Sequence, residues 1–221
     1  MSCSQCVGLE RQFSDPVARR ELRRYKKRGP PASTRLLLDG ITALGVSDKS
    51  FLDVGGGIGA IQHELMAAGA SGGTHADASS AYLEASRAEA AARGYDDRIL
   101  YIEGDFVEMQ NDVPSADVVT LDRVVCCYPD MPALIDAAAS HADRALGLVY
   151  PRSRRLIRFG IRVINWVQGI RRHPFRVFLH PPADVEAQVA RRGLDKRSHT
   201  ETFLWRITVF TRAKPNQAHG D

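Results

Sequence analysis

Residues 51–60 read Phe51-Leu-Asp-Val-Gly-Gly-Gly-Ile-Gly-Ala60, and this stretch decides the fold. An apolar run is interrupted by one acid and passes into four glycines within five residues. Glycine permits a tight turn and lets the backbone approach a ligand closely. The stretch therefore predicts a buried strand that turns sharply through a ligand-binding loop into a helix.

The segments on either side alternate between strand and helix patterns, which is typical of a parallel sheet covered on both faces. We predict an α/β fold with a Rossmann-like, seven-stranded, mostly parallel sheet that ends in a hairpin. Residues 1–30 form an N-terminal helical cap segment, and a helix is inserted after strand five. The predicted strands are 50–54, 73–76, 99–103, 117–121, 145–150 and two within 196–212. The predicted helices are 8–28, 58–68, 79–93, 131–139, 182–192 and one that Ser33 or Thr34 caps and that ends near Gly45.

The composition is that of an ordinary globular domain. The chain has 221 residues, of which 44% are hydrophobic and 25% charged, and its net charge is +4. The length suits one domain. The arginines cluster, which suits anionic partners and is equally typical of a solvated surface. The N-terminus lacks the apolar stretch of a secretory signal, so we expect a cytoplasmic protein with reduced thiols.

Acids lie at the ends of the first three predicted strands. Asp53 comes two residues before the first glycine, where a carboxylate would repel a phosphate but could hold water or an ammonium group. Asp77 ends the second strand, where a carboxylate can accept hydrogen bonds from both ribose hydroxyls. Asp105 follows the third strand and could accept from an adenine amino group while Phe106 packs on the ring. Each of Asp77 and Asp105 also fits a helix N-cap, but their alignment with Asp53 favours one ligand site.

Residues 51–60, 77, 104–106 and 116–122 resemble the successive motifs of class I S-adenosylmethionine-dependent methyltransferases. The resemblance implies a methyltransferase domain over residues 31–221 with S-adenosylmethionine as cofactor. It implies that the glycines border the methionine part of the cofactor, that Asp77 binds the ribose, and that Asp122 and Arg123 line the methyl-transfer pocket. The implied cofactor-binding residues are Asp53, Gly55, Gly56, Gly57, Gly59, Asp77, Ala78, Asp105, Phe106, Asp122 and Arg123.

A narrower resemblance covers the C-terminal part of the chain. Residues 175–189, Gly193, residues 200–206 and the Tyr128-Pro129 pair are similar to magnesium-protoporphyrin O-methyltransferases. That family has a histidine before the Tyr-Pro pair, and this chain has Cys127. The similarity therefore indicates ancestry and leaves the substrate open.

The cysteines form two pairs, Cys3-x-x-Cys6 and Cys126-Cys127. The first pair has metal-ligand spacing, and four thiolates meeting at the cofactor site could hold zinc or a soft element such as arsenic. Adjacent cysteines in a regular strand point to opposite faces, however, and free cysteine usually packs as a small apolar residue. We therefore predict no metal.

The insertion, residues 152–180, contains a helix with an arginine face and an apolar face. Leu156, Ile157, Ile161, Ile164, Trp166 and Val167 are predicted to share the apolar side. The charges within the segment exclude a membrane-spanning helix. The pattern is typical of a substrate lid, of a helix lying on a membrane surface through residues 152–172, and of a homodimer or core-covering helix.

The motifs favour an enzyme that methylates an oxygen of a small hydrophobic or aromatic metabolite. Positioning supplies most of the rate acceleration in methyl transfer, and the catalytic residue stays unassigned, with Tyr128, His141 and Tyr25 as candidates. The alternative is a non-catalytic Rossmann-like module that binds nucleotide or nucleic acid. Methylation of nucleic acid is a third hypothesis. The chain lacks an Asn/Asp-Pro-Pro-Tyr motif after strand four, which counts against amino-group methylation of bases, so nucleic acid is not the expected partner.

Overall fold

The computed structural model describes residues 14–212, which form one seven-stranded sheet covered by helices. The strands are β1 (Ser50–Val54), β2 (Gly72–Asp77), β3 (Ile99–Glu103), β4 (Ala116–Asp122), β5 (Ala142–Pro151), β6 (Leu194–Glu201) and β7 (Trp205–Arg212). Their order is β3-β2-β1-β4-β5-β7-β6. The first five strands pair in parallel, and β7 runs antiparallel between β5 and β6. The predicted α/β fold with its terminal hairpin is confirmed.

The helices also follow the predicted order. They are α1 (Asp15–Arg28), α2 (Ala32–Thr42), α3 (Ala60–Ala67), α4 (Ser80–Ala92), α5 (Phe106–Met109), α6 (Met131–His141), α7 (Arg155–Ile170) and α8 (Pro182–Arg191). Residues 8–13 of the predicted first helix lie outside the described residues. The predicted capping of α2 by Ser33 or Thr34 is wrong, because Pro31 occupies the N-cap and both residues lie in the first turn.

Strand β1 lies inside the sheet, between β2 and β4, and separates two hydrophobic layers. Leu52 and Val54 belong to one buried cluster, and Phe51 belongs to the other. The alternation follows from the two-residue period of a strand, which points successive side chains to opposite faces. Burial on both faces fixes β1 and therefore fixes the position of the glycine loop that follows it.

Helix α1 packs beside the glycine loop. Tyr25 donates a hydrogen bond to Glu64 (2.8 Å) on α3, and Tyr82 on α4 donates to Glu21 (2.8 Å) on α1. Ala18 and Tyr25 are buried together with Ile58 of the loop and Tyr82. The N-terminal helix is thereby held over the carboxyl ends of the central strands.

Helix α7 does not bury the apolar side that was predicted from its sequence. None of its residues is buried, and Leu156, Ile164 and Trp166 are exposed. The residues predicted to lie on one apolar side are divided, because Ile157 and Ile161 take the partly covered side whereas Leu156, Ile164 and Trp166 face solvent. Among residues 14–212, no helix is both long and apolar enough to span a bilayer.

Candidate active site

A cavity of about 420 Å³ opens where the carboxyl ends of the central strands meet. Residues of β1, β2, β4 and the turn after β3 contribute to its wall, and α1 contributes Glu21. Open α/β sheets bind ligands at this edge. The structure brings together in this lining Asp53, Gly55, Gly56, Gly57, Asp77, Ala78, Asp105, Phe106, Asp122, Arg123 and Tyr128.

Asp53 presents a buried carboxyl group beneath the glycine loop. Its Oδ1 accepts a hydrogen bond from the Thr120 hydroxyl (2.7 Å), whereas its Oδ2 has no partner within the described residues. Burial raises the pKa of Asp53 to about 7, although the hydrogen bond from Thr120 lowers this pKa. A cationic group beside it would favour the ionised form. The acceptor without a partner therefore fits a ligand that carries a positive charge.

The raised pKa of Asp53 predicts a measurable pH dependence of stability. Folding favours the protonated carboxyl, so the stabilisation is complete below about pH 4 and is lost as pH rises to about 7. Asp53→Asn cannot titrate. The free energy of unfolding of the wild type minus that of Asp53→Asn should fall by roughly 4 kcal/mol between acid and mildly alkaline pH. Urea unfolding of both ligand-free proteins across this range measures it, and a constant difference would contradict the assignment.

Asp77 joins the glycine loop to the start of helix α4 through its two carboxylate oxygens. Oδ2 accepts from the Gly57 N–H (2.9 Å), and Oδ1 accepts from the Ser79 N–H (2.8 Å). Burial raises the pKa of Asp77 to about 6, and these backbone donors act in the opposite direction. The Asp77 residue is buried. Each oxygen keeps a further lone pair, with which the group can accept from ribose hydroxyls.

Two glycines are required by their surroundings. Gly55 has φ +63°, and a Cβ there would lie 2.5 Å from Val124 Cγ2. A Cβ on Gly56 would lie 2.6 Å from Asp53 Oδ2. Gly59, a predicted cofactor residue, is not part of the cavity wall, because it caps α3 and its N–H donates to the Gly56 carbonyl. Gly55 and Gly56 therefore shape the loop, and Gly59 starts the helix behind it.

Asp105 caps a helix, which is one of the two roles considered from the sequence, and also accepts a hydrogen bond from Tyr128. Its Oδ1 accepts from the Val107 N–H (2.9 Å) and so caps the short helix α5. The Tyr128 hydroxyl donates to the same carboxylate, at 3.1 Å from Oδ1 and 3.0 Å from Oδ2. Phe106 lies next to it in the cavity wall. Capping and a hydroxyl donor together orient this carboxylate toward the cavity.

Asp122 and Arg123 end β4 at the other side of the cavity. The Thr34 hydroxyl donates to Asp122 Oδ2 (2.5 Å), and Arg123 Nε donates to Oδ1 (3.2 Å). Arg123 has φ +65°, a conformation that costs a non-glycine residue free energy. The Arg123 side chain remains 43% exposed. Thr34 was predicted only as a cap, and no local pattern indicates its bond to a residue 88 positions away.

The structure corrects the argument about Cys126 and Cys127. These residues lie in a 3₁₀ turn rather than a strand, so their side chains do not point apart. Both contribute to the cavity wall, and their Sγ atoms are 3.9 Å apart. A hydrogen bond from the Cys126 thiol lowers the pKa of Cys127. No metal-binding cluster is found within residues 14–212, and Cys3 and Cys6 lie outside this range.

Two catalytic candidates lie away from the cavity. His141 directs its ring nitrogens at backbone carbonyls, including those of Ala137 (2.7 Å) and Gln110 (2.8 Å), and it is not part of the wall. Tyr25 donates to Glu64. Residues 152–180, the predicted lid, also contribute nothing to the wall. Of the three candidates, the structure brings only Tyr128 to the cavity.

Sequence reasoning missed Glu21, Tyr82 and Trp205, which all contribute to the cavity wall. Glu21 lies on the N-terminal helix, and Trp205 begins the last strand. Glu21 and Trp205 do not follow any of the strands whose ends carry the predicted acids, so no local sequence pattern identifies them. Only the packing of the first helix and the last hairpin against the sheet brings them to the site.

Acidic groups dominate the polar part of the cavity wall. Among the described residues it contains six carboxylates, those of Glu21, Asp53, Asp77, Asp105, Asp122 and Asp130, and one basic side chain, that of Arg123. Phosphate groups would be repelled by such a wall, whereas a sulfonium or ammonium group would be attracted. Together with the Asp53 oxygen that lacks a partner among the described residues, these carboxylates fit S-adenosylmethionine.

Comparison with known proteins agrees with this geometry. Residues 37–141 match the O-methyltransferase domain family. The crystal structure of magnesium protoporphyrin IX methyltransferase from Synechocystis PCC 6803 with bound SAH has a TM-score of 0.72 at 20% identity, covering 95% of this chain and 100% of that chain. An O-methyltransferase family protein from Burkholderia thailandensis gives 0.63 at 17% identity, over 81% of this chain and 56% of that one. No curated protein sequence matches the chain.

A further structural relative is the mitomycin 7-O-methyltransferase, with a TM-score of 0.60 at 19% identity over 86% of this chain and 57% of that chain. The predicted resemblance to S-adenosylmethionine-dependent methyltransferases is confirmed by the domain match and by the shared fold. The predicted similarity to magnesium-protoporphyrin methyltransferases holds for the fold and extends over nearly the whole chain.

Proposed function

From the premise of an O-methyltransferase domain on this methyltransferase fold, we propose that the protein transfers a methyl group to an oxygen of a small hydrophobic or aromatic metabolite. One observation carries the proposal: a glycine loop and carboxylates at the ends of four neighbouring strands surround a single cavity. S-adenosylmethionine supplies an electrophilic methyl group on a positively charged sulfur. The remaining contribution of the chain is to bind, orient and exclude water.

The cofactor-binding roles follow from the contacts of the side chains. Asp77, held by two backbone donors, is placed to accept from ribose hydroxyls. Asp105, held by Tyr128, is placed to accept from an adenine amino group, with Phe106 against the ring. Asp53 and the glycine loop lie in the same cavity wall, and we assign them to the charged methionine part. Preoriented acceptors lower the cost of binding, because little side-chain freedom is lost when the ligand arrives.

The remaining wall of the cavity supports an apolar substrate. Val124, Leu134 and Trp205 contribute to it beside Cys126 and Tyr128. No histidine of the described region lies in this wall, and Tyr128 directs its hydroxyl at Asp105. Alignment of the acceptor oxygen with the methyl group therefore has to supply most of the acceleration. An acceptor oxygen that ionises readily needs no protein base.

The alternative of a non-catalytic nucleotide- or nucleic-acid-binding module is less well supported. Such ligands carry phosphates, which the six carboxylates of the wall disfavour. The arginine clusters lie elsewhere, on α1 and in residues 152–172 and 191–197. Nucleic-acid binding would have to use a surface separate from the cavity.

Calorimetry with S-adenosylhomocysteine, followed by a methyl-transfer assay on a panel of aromatic and aliphatic alcohols, phenols and carboxylic acids, tests the proposal. We expect one binding site per chain and transfer of the methyl group to an oxygen of an apolar member of the panel. Binding of ATP or single-stranded RNA with no binding of S-adenosylhomocysteine would instead favour the non-catalytic alternative.

A further inference from the structure

Helix α7 presents a row of large apolar side chains to solvent. The exposed fractions are 42% for Val163 and 67% for both Leu156 and Trp166. Within residues 14–212, six of the nine exposed large hydrophobic residues lie on this helix. Five of them recur at intervals of three and four residues, which places them on one face. We call Leu156, Phe159, Val163, Trp166 and Ile170 the apolar stripe.

The opposite side of α7 is attached to the rest of the protein. Asn165 donates to the Val177 carbonyl (2.7 Å) and accepts from the Val177 N–H (2.9 Å). At 100° per residue, Asn165 lies about 140° from the centre of the apolar stripe. This double hydrogen bond fixes the rotation of the helix about its axis. The stripe therefore faces outward as a consequence of the fold.

The segment around the stripe carries charge of one sign. Residues 151–183 contain eight arginines and no aspartate or glutamate. Arg155, Arg158 and Arg162 follow one edge of the stripe at helical spacing, and all three are exposed. Exposed arginines next to exposed apolar side chains are typical of a helix that lies in the headgroup region of a membrane.

We propose that α7 lies flat on an anionic lipid surface, with the apolar stripe in the acyl boundary and the arginines at the headgroups. A second copy of the chain fits less well. Two copies joined through this face would bring two arginine rows together, and the segment supplies no acid to offset them. Nucleic acid would pair with the arginines but would leave the stripe in water.

The chain connects helix α7 directly to a segment that contacts the cavity wall. The segment that follows α7 runs beside the cavity wall, where the Phe178 N–H donates to the Cys126 carbonyl (2.7 Å) and His180 Nε2 bonds the Tyr128 carbonyl (3.0 Å). The exposed turn with Phe203 and Leu204 adjoins the start of α7, because the Arg152 N–H donates to the Leu204 carbonyl (3.0 Å). If the proposed function holds, an apolar substrate dissolved in the lipid would reach the cavity from this side.

Co-sedimentation with vesicles tests the proposal without any substrate. We expect the wild type to bind vesicles of equal parts phosphatidylglycerol and phosphatidylcholine, and to bind pure phosphatidylcholine far more weakly. Replacing Phe159 and Trp166 together by serine should weaken partitioning about tenfold or more. The matched control is Leu100→Ser, since Leu100 is 49% exposed on β3 and should not contribute.

A second set of variants tests the charges. Gln at Arg155, Arg158 and Arg162 should weaken binding to the anionic vesicles on the order of 100-fold, and high salt should reproduce part of this loss. Gln at Arg23, Arg24 and Lys27, exposed on α1, removes the same charge and should have little effect.

The proposal is overturned if the wild type stays in the supernatant with anionic vesicles, or if the Phe159/Trp166 variant sediments as the wild type does. It is also overturned if sedimentation velocity shows a dimer that this variant dissociates. Calorimetry with S-adenosylhomocysteine is measured separately on the same proteins. Its failure would count against the proposed function alone, because vesicle binding does not require the cofactor.

Discussion

Asp77→Ala should weaken the binding of S-adenosylhomocysteine by about 100-fold or more. Two hydrogen bonds from ribose hydroxyls to a buried carboxylate are worth roughly 3 kcal/mol together, and the loss is larger if the glycine loop shifts. The loop depends on this side chain because the Gly57 N–H donates to Asp77 Oδ2, and the Ser79 N–H at the start of α4 donates to Oδ1. Isothermal titration calorimetry at neutral pH measures the affinity.

The stability of Asp77→Ala should change much less than its affinity. Removing the carboxylate leaves two backbone donors without their acceptor, but it also removes a buried charge whose pKa burial has raised to about 6. These effects oppose each other. Asp97→Ala, at an exposed position outside the cavity wall, serves as the control and should bind as the wild type does. Unchanged affinity in Asp77→Ala would remove the ribose assignment.

Gly55→Ala should abolish detectable cofactor binding and lower the free energy of unfolding by roughly 2–4 kcal/mol. The backbone at Gly55 has φ +63°, and the new methyl group would lie 2.5 Å from Val124 Cγ2, so β1 and the turn after β4 would have to separate. The Gly55 N–H also donates to the Ala76 carbonyl (2.7 Å), which joins the loop to β2. Any movement that relieves the clash therefore displaces the loop from Asp77.

Gly45→Ala provides the matched control for Gly55→Ala. Gly45 has φ +77°, and a Cβ there meets nothing within 4 Å. The control therefore carries the backbone strain alone, about 1 kcal/mol, and should bind S-adenosylhomocysteine normally. Chemical denaturation and calorimetry on both variants separate strain from steric exclusion. Equal losses in the two variants would mean that the space around Gly55 is not what restricts this position.

The vesicle experiment and these two variants examine separate parts of the molecule. The Asp77 and Gly55 changes affect the loop between β1 and α3, whereas the apolar stripe lies on α7, which contributes nothing to the cavity wall. When changes in the two parts are combined in one protein, their effects on the free energy of unfolding should therefore add. A stripe variant with normal cofactor affinity and reduced vesicle binding would show that the two surfaces act independently.

The sequence alone determined the order of strands and helices, the glycine loop and the acids at successive strand ends. The bounds of β1 and β3 agree with the predicted residues, and those of the other strands differ by a few positions. Hydrophobic runs, glycines and strand-terminal acids are local signals, and the carboxyl ends of parallel strands necessarily meet at one edge of the sheet. The acidic, glycine-rich part of the cavity wall was predictable for this reason.

Only the tertiary structure decided which distant residues meet. Thr34 donates to Asp122 across 88 positions, and Tyr82 donates to Glu21 across 61. The sequence also did not predict that Trp166 faces solvent. Periodicity shows that a helix has an apolar face but does not show what that face contacts. Such pairings depend on how separately specified elements pack, and a single sequence carries no local record of that packing.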